Sequence, residues 1–211
     1  MFITLEGIEG SGKTTQIRQL SAFIEATGHR CITTREPGGT AIGEKIRAIL
    51  LNPENDDLSP ISELLLYMAD RAQHLNSVVK PALEAGKIVL CDRYFDATVV
   101  YQGIARGLDT ELIYSLHRLL FEDLKPDITF LLDLPPAVGL ARAWEQINDG
   151  IRSGGESRFE EETIAFHEKV RAGYLDLARL EVKRFKVIDA SQDKKQVQMD
   201  IRQTLSSVLG D

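Results

Sequence analysis

Residues 7 to 14 read Gly7-Ile8-Glu9-Gly10-Ser11-Gly12-Lys13-Thr14, which fits G-x-x-x-x-G-K-[ST]. That spacing can do phosphate chemistry. The glycines let backbone N–H groups turn inward around a phosphate chain, and a helix opening at the end of the loop adds partial positive charge. Lys13 can reach the β- and γ-phosphates, while the Thr14 hydroxyl suits Mg²⁺ as a ligand. The motif has this meaning only between a strand and a helix. The apolar run Phe2–Leu5 and the helical period beginning at Lys13 supply that context. Binding of a nucleoside triphosphate follows; the use made of it does not. Glu9 is the odd residue, a negative charge in the middle of an anion cradle.

Other stretches could serve an acceptor. Asp92-Arg93-Tyr94 directly follows the apolar run KIVLC. At the carboxyl end of a strand, Asp92 can bind Mg²⁺ directly or through water, or take a proton, and Arg93 can clamp a phosphate with two N–H groups. Without the glycine loop, an ion pair closing a strand end would be the better reading of these two. Arg35-Glu36-Pro37-Gly38-Gly39-Thr40 makes a tight turn into a helix, and Arg47 lies two turns along it. A solvated charge is the commoner fate of such an arginine. Tyr67 and Arg71, four apart, share a helix face, where a ring beside a planar donor suits a flat nucleobase. A half-buried tyrosine with a surface arginine has the same spacing. Thr98, Tyr101 and Gln102 offer a hydroxyl, a ring and an amide on successive turns if ATVVYQG is helical.

These residues need a scaffold. Apolar runs at Phe2–Leu5, Cys31–Thr34, Lys87–Cys91, Ile128–Leu132 and Phe185–Ile188 mostly show no polar alternation, as parallel strands covered on both faces do. Helical segments are predicted from Lys13 to about Ala26 with Gly28 as a left-handed cap, from near Thr40 to before Asn52, and from Ser59-Pro60 onward. The last carries an apolar stripe of Ile61, Leu64, Leu65 and Met68. Further helices are predicted over Asp109–Phe121, Pro135–Glu145, Glu160–Leu180 and Lys194–Leu209. Strand–helix alternation argues for right-handed βαβ units and a doubly wound α/β fold.

At 211 residues the chain can bury one good core, with a single α/β domain the natural expectation. A net charge of -7 argues against a nucleic-acid coat and against an anionic membrane surface, but leaves room for a local basic pocket. Cys31 and Cys91 lie far apart in apolar stretches and read as reduced core residues, which points to a cytosol; no signal peptide or membrane span is visible. Asn148 to Ser157, NDGIRSGGES, is polar and glycine-rich between helical runs. Alone it reads as a solvated loop; with a phosphate site nearby it reads as a lid that closes over the phosphates.

Taken in order, GIEGSGKTT, REPGGT, IRAILL, LLLYMADR, KIVLCDRY, YQGIARG, KPDITFLLDL, SRFEEE and FHEKVRAGYL resemble the thymidylate kinases, P-loop enzymes that phosphorylate dTMP with ATP. The resemblance covers nearly the whole chain. It implies the nucleoside-monophosphate-kinase fold, a five-stranded parallel sheet flanked by helices. It also implies one kinase domain over 1–211, with a lid at about 145–158. ATP and Mg²⁺ are implied at Gly7 through Thr15, with Thr14 and Asp92 at the metal. Glu9 would turn outward toward the acceptor nucleotide, near its sugar hydroxyl and phosphate. Arg35, Arg47 and Arg93 would surround the dTMP phosphate, Arg71 would hydrogen-bond thymine, and Tyr67 would stack on it. Thr98 and Gln102 would contact the base, and Tyr101 would crowd the place of a 2′-hydroxyl.

Some family members carry a catalytic arginine in the P-loop. Here those positions are Ile8, Glu9, Gly10 and Ser11, so the arginine is implied in the lid, which is longer than in many bacterial members. Arg152 is expected as the finger, with Arg158 also near ATP. A homodimer in the cytoplasm is implied as well, with Leu116, Leu119 and Leu120 as contributors to its interface. Two other functions fit the P-loop: a kinase for another nucleotide or a deoxynucleoside, and a nucleotide-switched binding module. The second would call for an N-K-x-D-type motif, which the sequence lacks, and would leave Arg35, Arg47, Arg71 and Arg93 without a task.

Overall fold

The structure, a computed structural model, describes residues 1–151 and 153–209. Five strands form its sheet: β1 (Phe2–Glu6), β2 (Cys31–Arg35), β3 (Ile88–Asp92), β4 (Ile128–Asp133) and β5 (Phe185–Asp189). Their order is β2-β3-β1-β4-β5, and every pairing is parallel. Parallel strands need crossovers, and the helices supply them except for the last, which follows β5. They are α1 (Lys13–Ala26), α2 (Ala41–Leu51), α3 (Pro60–His74), α4 (Lys80–Glu84), α5 (Phe95–Thr98), α6 (Thr110–Phe121), α7 (Pro136–Asn148), α8 (Ile164–Leu180) and α9 (Lys194–Leu209). A π-helical turn at Leu75–Val79 joins α3 to α4, and another at Val99–Ala105 extends α5. None of the described helices is long and apolar enough to cross a membrane.

Because the strands are parallel, the residues after β1, β2, β3, β4 and β5 gather on one rim. The order reverses around β1, so the loop after β1 sits where open α/β sheets bind ligands. The core explains why the elements hold. β1 is buried along its whole length, and α1 lays Ile17, Leu20 and Ile24 against the sheet. Removing such side chains from water contributes roughly 2 kcal/mol each.

Local chemistry sets the helix ends. Thr40 caps α2 by accepting from the Gly43 amide, Ser59 caps α3 through the Ser62 amide, and Asp109 caps α6 through the Glu111 amide. Gly28, at φ +86°, closes α1 in the left-handed region, as the sequence suggests.

The structure corrects several expectations. β2 is an edge strand with exposed positions, so Cys31 is only half-buried, whereas Cys91 lies in the core. Of the α3 stripe, Leu64 and Met68 are buried while Ile61 and Leu65 are exposed. α7 runs three residues beyond Glu145, and α8 begins at Ile164 rather than Glu160 because Thr163 caps it there.

Candidate active site

The loop between β1 and α1 is shaped by close backbone contact. Gly10 sits at φ +68°, and a Cβ there would lie 2.0 Å from the Gly139 carbonyl oxygen; a Cβ on Gly139 would lie 2.4 Å from the Glu9 carbonyl. Only glycine fits on both sides, so α7 braces the loop directly. Gly12, at φ +94°, opens α1 without a side-chain cap, and the amides of a first helical turn favour an anion at that end. Lys13 is buried and folds back on the loop. Its Nζ donates to the carbonyls of Gly7 (3.0 Å) and Ile8 (2.8 Å) and to Ser11 Oγ (3.3 Å). Burial, with Arg93 nearby, pulls its ammonium down from 10.5 to about 8, against the pull of Asp92, Glu9 and Glu6.

Thr14 Oγ1, exposed at the head of α1, donates to Asp92 Oδ2 at 3.2 Å, so these two oxygens converge at the mouth of the loop. Two hard oxygen donors fit a hard divalent cation that takes its other ligands from phosphate and water. Thr15 follows, half-buried, on the same turn.

Glu9 is held by residues from outside its own loop. Its Oε1 accepts from Arg93 Nη2 (2.8 Å) and from the Tyr101 hydroxyl (2.7 Å). Burial pushes its carboxyl up, but Arg93, His167 and Lys13 outweigh burial and hold it far below the usual range. Arg93 stands at φ +66°, an uncommon backbone for a non-glycine residue, and its guanidinium also donates to the Tyr174 hydroxyl at 3.2 Å. Tyr174 in turn donates to Glu6 Oε2 at 2.6 Å. Fully buried, Glu6 is raised to about 7 by burial and by Asp96.

Arg71, Glu36, His74 and Thr98 form a second buried group. Arg71 Nε donates to Glu36 Oε2 (2.8 Å), its Nη2 donates to Thr98 Oγ1 (2.9 Å), and its Nη1 has no partner among the described residues. Glu36 Oε1 lies 2.8 Å from His74 Nδ1. Arg71 is therefore a fully buried, oriented donor, not a surface charge. Tyr67 is half-buried, one turn before Arg71 on α3.

The remaining expected residues divide. Arg47 reaches Glu156 and the Pro37 carbonyl. Arg35 pairs with Glu44 at the surface. Gln102 is buried and donates to Glu63 Oε1 at 2.7 Å. Arg158, expected near ATP, is buried between α2 and α3. It donates to Glu63 Oε2 at 2.6 Å and to the Leu50 carbonyl, and lies over the Phe159 ring. Glu63 draws it there: this carboxylate is fully buried on α3 and needs a cation, which Arg158 and Arg106 provide. Arg152 lies outside the described residues. Arg142, on α7, donates to the Ala190 carbonyl at 3.2 Å.

Sequence reading passed over Glu6, Glu63, Arg106, His167 and Tyr174. Most of their partners are remote in sequence; YQGIARG, which holds Arg106, and FHEKVRAGYL, which holds His167 and Tyr174, carry the resemblance but give these residues no role by themselves.

Comparison with known proteins agrees with this geometry. The family model described as Thymidylate kinase matches residues 5–201. A thymidylate kinase from Desulfosudis oleivorans is 60% identical over 190 residues, covering 90% of this chain and 89% of that protein. One from Desulforapulum autotrophicum is 56% identical over 210 residues, covering 100% of this chain and 92% of the other. The crystal structure of thymidylate kinase from Ehrlichia chaffeensis superposes with a TM-score of 0.76 at 35% identity, covering 97% of this chain and 98% of that one. The chain belongs to the thymidylate kinase family.

Proposed function

We propose that this rim transfers the γ-phosphoryl group of ATP in line to the 5′-phosphate of dTMP, giving dTDP and ADP, a step in dTTP biosynthesis. The observation that carries this reading is the placement of Glu9. A carboxylate inside a phosphate loop would repel the donor, but here its Oε1 is taken up by Arg93 and Tyr101, two residues from outside the loop. There it can accept from a sugar hydroxyl.

The roles follow from charge and reach. Lys13 leaves the carbonyls of Gly7 and Ile8 to meet the β- and γ-phosphates, and the loop from Gly7 to Thr15 cradles them. Thr14 and Asp92 hold Mg²⁺ or its waters, and the cation, when bound, neutralises charge on the phosphates. Arg93, Arg47 and Arg35 fix the acceptor phosphate. The free Nη1 of Arg71 meets the thymine edge, Tyr67 stacks on the base, and Thr98, Tyr101 and Gln102 line its pocket. An acceptor phosphate is already a nucleophile at neutral pH, so the work is positioning and neutralising two anions. Preference for dTMP over dUMP rests on one methyl group, worth ~1–3 kcal/mol.

The residues from about 145 to 158 act as a lid on a single kinase domain, with Arg152 as the finger that stabilises the transferring group. The same reading places the enzyme in the cytoplasm, where ATP is supplied, as a homodimer. Exposed Leu119 and Leu120 on α6, with Ile61 and Leu65 on α3, give that interface its apolar surface, while Leu116 packs on the core. The test is product identity. Protein mixed with ATP, Mg²⁺ and dTMP should show the β-phosphorus of dTDP by ³¹P NMR in step with ADP; ADP without dTDP contradicts the proposal.

A further inference from the structure

His167, on α8, takes no part in the scheme above, yet it is completely buried and touches Glu9. Its Nε2 lies 2.9 Å from the Phe159 carbonyl oxygen. A carbonyl only accepts, so Nε2 carries a hydrogen. The other ring nitrogen, Nδ1, lies 3.2 Å from Glu9 Oε2, at ion-pair distance though off the line of a full hydrogen bond. Neither Nδ1 nor Oε2 has a hydrogen-bond partner elsewhere among the described residues.

The two contacts together fix the protonation. With Nε2 committed to Phe159, a neutral ring would turn its Nδ1 lone pair onto a carboxylate oxygen in a dry interior. One proton must lie between them, on the ring or on Glu9. Arg93 and Lys13 both favour the ionised carboxylate. The proton therefore belongs on the ring.

Resting on the reading of Glu9 as an acceptor-side group, we propose that His167 is a positioning residue. As an imidazolium it holds Oε2, while Arg93 and Tyr101 hold Oε1, so that Glu9 faces the acceptor sugar. The Phe159 carbonyl aims the ring. Because Phe159 directly follows Arg158, the same ring ties the base of the lid to the acid of the phosphate loop. The other ionisable groups facing the pair are Arg93 after β3, Tyr101 in the π turn, Lys13 on α1, and Tyr174 on α8 with Glu6 behind it.

Two substitutions separate the ring's contacts. His167→Gln places an amide nitrogen near Nε2, keeping Phe159 and losing the donor toward Glu9. His167→Asn places one near Nδ1, keeping that donor and losing Phe159. A charge-assisted contact sets the upper scale, so His167→Gln should raise KM for dTMP by up to roughly ten-fold while KM for ATP stays close to wild type. His167→Asn should stay within about three-fold of wild type, as expected of a neutral donor in the same place. Equal impairment of the two variants, or KM effects that follow melting temperature, would overturn the proposal. In the substrate-free wild type at pH 7, ¹⁵N-edited NMR should show hydrogens on both ring nitrogens of His167; a neutral ring overturns it too. If instead the reading of Glu9's acceptor is wrong, wild-type protein will not turn over dTMP although the ring carries both protons.

Discussion

Arg47 of α2 gives its guanidinium to Glu156, 109 residues away: Nη2 lies 2.7 Å from Oε2, and Nε lies 3.2 Å from each oxygen. The carboxylate holds the fork that an acceptor phosphate would need. Competition follows. The pair is partly exposed and so worth at most about 1 kcal/mol, and Glu156→Gln should lower KM for dTMP by roughly two- to five-fold. A KM that stays constant or rises would remove Arg47 from the acceptor phosphate.

Lys13 tests the donor side. Lys13→Ala deletes the one ammonium that the loop folds around, and kcat should fall about 10²–10³-fold, the scale of losing a preorganised electrostatic contact. The substitution also frees the carbonyls of Gly7 and Ile8, so circular dichroism and melting temperature should accompany the assay. A folded variant with near-normal kcat contradicts the proposed role.

Arg152 and Arg158 should fail in different ways. Arg158→Ala removes one cation from the buried Glu63 and should cost about 3–5 kcal/mol in unfolding free energy, or less if Arg106 swings in to compensate. Arg152→Ala should lower kcat by orders of magnitude and leave the unfolding curve in place. If Arg158→Ala abolishes turnover at normal stability and Arg152→Ala does neither, the finger is Arg158.

Asp70 gives a pH signature. Burial first, and Glu36 second, raise its carboxyl from 3.8 to about 7, and its Oδ2 has no partner among the described residues. Between those pH values the folded chain keeps a proton that the unfolded chain has lost. Stability from this group is therefore full below its unfolded pKa and lost as pH rises through about 7. Asp70→Asn keeps an oxygen for the Gly38 amide and cannot ionise. Urea unfolding at pH 4 and pH 8 should show wild type losing up to about 4 kcal/mol more than the variant over that range. Parallel losses would mean that Asp70 titrates normally.

What the sequence displays follows the reach of its signals. The helix Lys13–Ala26 and the core of every strand are legible because apolar period and caps lie within a few residues of one another. Ile61 and Leu65 mislead because an apolar position on a helix does not say which neighbour covers it. Glu160 looks like the start of a helix, yet Thr163 is the cap, and Glu160 belongs to the turn at 158–161 that carries Arg158 to Glu63, 95 residues back. The loop, Asp92, Arg93 and Arg71 could be picked out by residue type beside a strand end or on a helix face. His167 could not, since its meaning depends on Glu9 and on one backbone carbonyl, neither visible in local spacing.

The most direct measurement is an ADP-release assay at fixed Mg-ATP with dTMP, dUMP, UMP, dCMP, AMP, GMP and thymidine each offered as acceptor. The account predicts turnover that depends on acceptor and is strongest with dTMP. Turnover only with a different acceptor, or ATP binding by folded protein with no acceptor-dependent turnover, would contradict it.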